Sequence, residues 1–167
     1  AALRQRLGDR SASPELTQLA AAVEVFSGDA ETALAIAREG VRRFPDEAPL
    51  RLIAGQLLLL LDRPDEMKAP ADDTVARLPD QHEGWVLRGR WLADVEGDYR
   101  GAIAAFDEAL ARDPAGMEGL NEQALAFYAI DEDREAERRL RQALDKDDRD
   151  GAARANLAIL MLDQNRE

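Results

Sequence analysis

The sequence predicts an all-α fold, a solenoid in which antiparallel helix pairs stack into an α-α superhelix of about four and a half repeated units. Three observations predict it. Apolar residues recur at helical spacing along nearly all of the 167 residues. One pattern of small and apolar residues returns about every 34 positions. Gly, Asp and Pro occur at the places where successive helices would have to end.

The repeat is clearest in segments 102–114 and 136–148, which place small and apolar residues at the same offsets. Segment 33–45 carries the same pattern further upstream. Each segment follows a second pattern with offsets of four and then three residues, which is one face of a helix. These preceding triplets are Leu16, Ala20 and Val23; Trp85, Gly89 and Leu92; Leu120, Ala124 and Phe127; and an incomplete last one, Arg154, Ala158 and Met161. The repeated unit is therefore a pair of helices.

Turn residues separate the predicted helices. Gly28 and Gly97 can adopt the left-handed conformation that ends a helix, and the Asp after each can cap the next helix. Pro45 and Pro114 fall between units, where a helix cannot continue. The predicted helices are 14–26, 30–43, 47–61, 71–78, 82–95, 99–112, 116–129, 133–146 and 150–163, with a short helix at 2–8.

These residues resemble the tetratricopeptide repeat (TPR), a helix pair with a period of 34 residues. Residues 82–116 match that pattern best, with one extra residue before Gly97 that makes the period 35. The matching residues there are Trp85, Gly89, Leu92, Ala102, Phe106, Ala109 and Pro114. The resemblance, to a bacterial TPR-like scaffold protein, implies a single domain over 1–167. Its units are 13–46, 47–81, 82–116 and 117–150, followed by a capping helix at 151–164.

The unit at 47–81 departs from the TPR pattern in its second half. Its first helix is apolar nearly all round over residues 50–61, as expected for a helix between two neighbours. Pro64 and Pro70 interrupt the second helix, and a proline in a helix interior costs about 3 kcal/mol. We therefore expect a broken or shortened helix that begins near Ala71.

The net charge of the chain disfavours some classes of partner. There are 34 acidic and 22 basic residues, which gives a net charge of −12. Nucleic acids and anionic lipids favour basic surfaces, so we expect neither as a partner. No block approaches the roughly 20 apolar residues of a membrane helix, and we expect no membrane insertion. No signal peptide is recognisable, so the cytoplasm and the periplasm both stay open as the compartment.

The sequence also lacks the parts of a catalytic site. It contains no Cys, and its one histidine, His82, has no nucleophile or metal ligand at a recognisable spacing. The acidic run 145–151 resembles a calcium loop in outline. Lys146 and Leu157, however, stand where the first and last ligands belong. We therefore expect no enzyme, no cofactor and no metal, with His82 an exposed residue of a first helical turn.

In TPR proteins the first helices of successive repeats line a concave groove that holds a peptide or a helix of a partner. Transferring these groove positions to the chain gives seven candidate residues: Arg51, Leu58, Val86, Arg90, Asn121, Leu125 and Tyr128. Arg51 and Arg90 would meet carboxylates, which implies an amphipathic or acidic partner segment. The alternative is that the apolar candidates pack in the core and both arginines pair with local acids. Trp91, if exposed, would be a further anchor.

The resemblance thus implies a non-catalytic scaffold for protein–protein interaction, of the kind found in bacterial assembly and secretion machinery. A second reading is a module whose repeats build a homo-oligomer by self-association. The sequence leaves the oligomeric state and the identity of the partner open.

Overall fold

The computed structural model describes residues 13–164, and within this range the chain consists of helices joined by short turns. The predicted helix at 2–8 lies outside the described residues. No described helix is long and apolar enough to cross a bilayer. The α-helices are α1 (Pro14–Phe26), α2 (Ala30–Arg43), α3 (Ala48–Leu60), α4 (Lys68–Arg77), α5 (His82–Trp91), α6 (Tyr99–Arg112), α7 (Met117–Tyr128), α8 (Asp133–Lys146) and α9 (Gly151–Gln164).

The chain divides into two compact units, Ala1–Leu87 and Arg88–Glu167. In the first unit α1 packs on α2, α2 on α3 and α3 on α4, and α1 also contacts α3. In the second unit the same neighbour-to-neighbour order runs from α6 through α7 and α8 to α9, and α7 also contacts α9. Short connections between contacting helices make neighbours antiparallel. The predicted all-α stack of antiparallel helix pairs is confirmed.

Small residues let the paired helices approach closely. A Cβ atom at Gly89 would lie 2.4 Å from the ring of Phe106, which is itself only 1% exposed. Further along the second unit, Leu120, Leu140 and Leu160 form one core from α7, α8 and α9. Helix α9 therefore covers the fourth repeat through Leu160, as expected of a capping helix.

The two prolines of the second repeat are placed where a helix tolerates them. Pro64 opens a 3₁₀ turn, Pro64–Met67, and α4 follows directly from Lys68. Pro70 is the third residue of α4, where a backbone N–H has no partner within the helix in any case. The helix is short, as predicted, but it begins three residues before Ala71 because Pro70 fits its first turn.

The extra residue of the third repeat is accommodated at the end of α5. The predicted helix 82–95 is α-helical only to Trp91 and continues as a π turn, Leu92–Glu96. A π turn holds one residue more than an α turn, so the 35-residue period is absorbed there. Gly97 then ends the helix with a φ of +66°, and the N–H of Asp98 donates to the carbonyl of Leu92 at 2.9 Å.

Candidate interaction sites

The first unit has an open cleft of about 270 Å³ between α1 and α3. Its lining residues are Gln18, Ala21, Ala22, Val25, Phe26, Ile53, Gln56, Leu57 and Leu60. None of these side chains is charged. Phe26 is 93% exposed and Leu60 is 62% exposed, so two large apolar side chains at the cleft meet water. This arrangement can hold apolar side chains of another segment.

Sequence reasoning missed this cleft. It assigned α1 a single face from the offsets of Leu16, Ala20 and Val23, but only Ala20 of these is buried. Leu16 and Val23 are 44% and 46% exposed, so this face of α1 was predicted wrongly. Val25 and Phe26 fall beyond that triplet, next to the Gly28 turn, and both are exposed. Large apolar residues outside the packing face of an amphipathic helix were the available signal.

Arg51 belongs to the packed interior of the first unit. Its guanidinium donates to the carbonyl of Pro45 from Nε at 3.2 Å and from Nη2 at 2.9 Å. Nη1 donates to Asp73 on α4 at 2.7 Å. The side chain of Arg51 is only 7% exposed. Arg51 therefore joins the loop before α3 to α4, instead of offering a free positive charge to a ligand.

Leu58 and Val86 are also buried, with exposures of 1% and 0%. Both were expected to line an open groove. Each instead fills core space, as in the alternative that they pack, so we do not retain Arg51, Leu58 or Val86 as ligand contacts. Burial is the physical reason, because a side chain without exposed surface cannot meet a partner.

The second unit brings four charged side chains together between α5 and α7. Arg90, whose side chain is 15% exposed, lies 3.0 Å from Glu118 and also donates a hydrogen bond to Glu122. Burial raises the pKa of Glu122, with Arg90 acting in the opposite direction and Glu118 and Asp94 raising it again. Burial likewise raises the pKa of Asp94, against the attraction of Arg90. This ionic cluster of Arg90, Asp94, Glu118 and Glu122 is rich in negative charge.

The remaining second-unit candidates lie on α7. Asn121 is 8% exposed, and its Oδ1 accepts no hydrogen bond from the described residues. Leu125 is 42% exposed and can contact a ligand. The hydroxyl of Tyr128 donates to Asp163 on α9, and this bond raises the pKa of the phenol. Asn121, Leu125 and Tyr128 thus lie within the last two turns of α7, and Arg90 lies on α5.

Neither tryptophan nor the histidine adds an exposed anchor. Trp91 is 8% exposed, so it packs and is unavailable as a binding hot spot. Trp85 donates from Nε1 to the carbonyl of Pro79 at 3.0 Å. The Nδ1 of His82 lies 3.4 Å from Glu83, with the imidazole 34% exposed. No His, Asp and Glu side chains of the described residues are grouped so that three could hold a metal ion.

The chain is similar to known proteins in its structure, and not in its sequence. No family model matches the chain, and no curated protein matches its sequence. Solved structures do match: TTC0263, a TPR protein of Thermus thermophilus, has a TM-score of 0.80 and 18% identity over 92% of this chain and 84% of that one. This chain has the tetratricopeptide-repeat fold. The type IV pilus biogenesis factor PilW (TM-score 0.73, 18% identity, 89% and 69% covered) has the same fold.

The TPR protein YrrB, described as having an unusual peptide-binding site, matches with a TM-score of 0.60 at 19% identity, covering 86% of this chain and 74% of YrrB. Identities this low establish the TPR fold alone. With the repeat bounds predicted from the sequence, α1, α3, α5, α7 and α9 would be the first helices of their repeats. The apolar cleft thus lies between two first helices of the first unit, and the ionic cluster lies on first helices in the second.

Proposed function

We propose that this TPR protein is a non-catalytic interaction scaffold that binds a partner protein through the cleft between α1 and α3. The exposure of Phe26 and Leu60 beside an uncharged cleft carries the proposal. Exposed apolar surface of this kind is unfavourable in water and marks a place where another chain is received. The lining is uncharged although the chain has a net charge of −12.

The size of the cleft favours side chains of a docked segment over a free small molecule. Sites for drug-sized ligands enclose about 300–1,000 Å³. This cleft holds about 270 Å³ and is open to solvent. A helical segment that places apolar residues one turn apart fits such a depression between two helices. The partner is therefore a peptide or helix with an apolar stripe, within an assembly of proteins.

The test begins with peptides selected from a random phage-displayed library on the full chain. Their affinities are then measured by fluorescence anisotropy for the wild type and for Ala22→Arg, which places a long charged side chain in the cleft. We expect Ala22→Arg to weaken binding at least tenfold, which is about 1.4 kcal/mol. Ala22 is exposed, so the variant should keep its fold.

The matched control is Ala104→Arg, the same change at an exposed position of α6. It should bind the selected peptides as the wild type does. Phe26→Ala supplies an independent arm, because it removes apolar contact without adding charge. Selection of no peptide by the wild type, or equal affinities of wild type, Ala22→Arg and Phe26→Ala, would reject the cleft as the binding site.

Self-association is the second candidate function, and the two terminal helices favour it. Leu19 on α1 is 54% exposed and Leu162 on α9 is 59% exposed. Terminal repeats normally present a polar outer face, so apolar end helices invite another copy of the chain. Light scattering over a dilution series tests this reading, with Leu19→Glu as the variant that should dissociate the oligomer. A wild type that stays monomeric at every concentration would contradict it.

A further inference from the structure

The second unit contains a cleft beside the C-terminal half of α8. Its volume is about 520 Å³, within the range of about 300–1,000 Å³ that sites for drug-sized ligands have. Arg139, Gln142 and Lys146 line it and follow one another on α8 at spacings of three and four, which places them on one face of that helix. Apolar surface comes from α6, α7 and the turn between them, through Leu110, Leu120 and Pro114. The cleft therefore offers cationic and apolar groups together.

Arg139 is the largely buried cation of this cleft, and its guanidinium has few partners. The side chain is 18% exposed. Of the five N–H donors of a guanidinium, one makes a hydrogen bond with the described residues, from Nη1 to Oε1 of Gln142 at 3.2 Å. Nη2 lies 3.8 Å from Asp107, which is too far for a hydrogen bond. The protein therefore replaces only part of the hydration that this guanidinium has lost.

The carboxylate of Asp107 neutralises Arg139 weakly. Asp107 is 60% exposed and already accepts a hydrogen bond from Nε2 of Gln123 at 2.7 Å. Burial lowers the pKa of Arg139, and Arg138 acts in the same direction, against the attraction of Asp107 and Glu135. Loss of hydration thus outweighs the acids around this arginine, in agreement with the long distance to Asp107.

The guanidinium of Arg139 is held in place by an aromatic ring. Its Cζ lies 6.0 Å from the centroid of the Phe127 ring, at the edge of the range for a cation–π contact. Nε is enclosed without a hydrogen-bond partner, so a ligand cannot reach it. Nη2 also lacks a hydrogen bond but is not enclosed in this way. A ligand in the cleft can therefore be met by the terminal nitrogen Nη2.

Lys146 makes the local charge of the cleft positive. It adds a second cation to Arg139, whereas Asp145 is the one carboxylate among the lining residues. Lys146 and Asp145 are both exposed, and neither makes an ion pair or a side-chain hydrogen bond with the described residues. Two cations and one carboxylate thus line a cleft in a chain whose net charge is −12.

We propose that this cleft binds a small organic molecule with one carboxylate and an apolar body. The carboxylate accepts N–H donors from Arg139 and Lys146, and the apolar body packs against Leu110 and Leu120. A single negative charge is favoured, because the net charge of −12 repels polyanions and acidic protein segments more strongly. The inference goes beyond the scaffold function and does not depend on the α1–α3 cleft.

The test compares a carboxylate with its neutral amide. 3-Phenylpropionate is titrated into the ¹⁵N-labelled full chain, and 3-phenylpropionamide is the probe of nearly the same shape without charge. We expect the carboxylate to shift the Nε–H signal of Arg139 and the side-chain amide of Gln142. Its apparent affinity should exceed that of the amide at least tenfold, because the amide cannot pair with a largely buried cation.

Lys146→Gln should lower the affinity for 3-phenylpropionate about threefold, as for an exposed ion pair. Arg134→Gln is the matched control, because it also removes an exposed cation of α8 but lies outside the cleft. It should leave the titration unchanged. Arg139→Gln should reduce the affinity to that of the amide. If Arg139→Gln fails to fold, as judged by circular dichroism, the comparison of Lys146→Gln with Arg134→Gln decides.

Equal affinities for the carboxylate and the amide, or equal losses in Lys146→Gln and Arg134→Gln, would overturn the site. Inorganic phosphate and a tetraglutamate peptide test other anions. If either shifts the same signals at a lower concentration than 3-phenylpropionate, the cleft takes a polyanion and the proposed ligand class is wrong. Failure of the peptide selection on the α1–α3 cleft has a different signature, since the carboxylate would still shift Arg139 and Gln142.

Discussion

Arg51 and Arg90 both lie on first helices of the TPR fold and are both largely buried, but their surroundings differ in charge balance. Arg51 binds one neutral carbonyl, that of Pro45, and one carboxylate, that of Asp73. Arg90 binds two carboxylates and lies near a third. The same residue type therefore shares one carboxylate with a second arginine, Arg77, in the first unit, and pairs with two carboxylates in the second.

The pKa values of the acids record this difference. Hydrogen bonds from Arg77 and then Arg51 lower the pKa of Asp73, because this carboxylate stays partly in water while it gains cationic donors. Burial raises the pKa of Glu122 in spite of Arg90. Attraction to a guanidinium decides the first case, and loss of hydration decides the second. A buried arginine on a TPR helix is thus not by itself a sign of an acidic ligand.

Removing Arg90 should have the largest effect. Arg90→Met keeps the length of the side chain but leaves Glu118 and Glu122 without this cation in a partly buried place. We expect a loss of about 3 kcal/mol in the free energy of unfolding at pH 7. At pH 5 the loss should be clearly smaller, because Glu122 can take up a proton once Arg90 is gone. Urea unfolding followed by circular dichroism at both pH values measures it.

Arg100→Met is the matched control for this change. Arg100 is 78% exposed and pairs with Glu132 at 3.3 Å, so its removal should cost under about 0.5 kcal/mol. An equal loss for Arg90→Met at pH 7 and pH 5 would mean that the aliphatic part of Arg90 stabilises the fold by packing. The difference between Arg51 and Arg90 would then not be caused by the charges around them.

Arg51→Met should have the next largest effect, about 2 kcal/mol, since it leaves the Pro45 carbonyl without its two donors. This loss should be the same at pH 7 and pH 5, because a carbonyl does not titrate and Asp73 stays ionised in that range. The same urea series measures it. If the loss of stability in Arg51→Met were smaller at pH 5 than at pH 7, carboxylates near Arg51 would be taking up protons once it is gone. Arg51 and Arg90 would then not differ in this respect.

Most helices of the fold could be predicted from the sequence, because two independent signals mark them. Apolar spacing predicts the helix itself, and turn residues predict where it ends. The bounds of α2 and α6 agree with the prediction at both ends. The differences occur where the repeat is irregular. Pro70 was treated as a residue of a helix interior, although it fits the first turn of α4. The extra residue before Gly97 was recognised, but the π turn that it forms was not predicted. Apolar spacing does not distinguish an α turn from a π turn.

The candidate sites were less predictable, because burial depends on neighbours that the sequence does not place. A resemblance supplies positions such as Leu58 and Val86 by offset, but the same offset is buried or exposed according to the side chains of the next helix. Leu125 stayed exposed, whereas Trp91 did not. Arg90 was expected to face a ligand, but the acids that pair with it come from α7, about 30 residues further along the chain.

The smallest effect tests the direction of the two pKa shifts. Glu122 has a raised pKa in the folded state, so its contribution to stability is fully present below the unfolded value of about 4.3 and is lost as the pH rises through the folded value. The glutamine of Glu122→Gln cannot ionise, so the variant does not lose this stability as the pH rises. We expect this variant to be as stable as the wild type at pH 4, and more stable by up to about 1 kcal/mol at pH 7, measured by urea unfolding across this range.

Asp73→Asn is the matched control with the opposite sign. Because the pKa of Asp73 is lowered, its contribution is present above the unfolded value of about 3.9 and is lost as the pH falls through the folded value. Asp73 is 45% exposed, so Asp73→Asn should cost only about 0.5 kcal/mol at pH 7 and nothing near pH 2. If Glu122→Gln instead destabilised the chain at pH 7, the pairing of Glu122 with Arg90 would outweigh its burial. The contrast between Glu122 and Asp73 would then disappear.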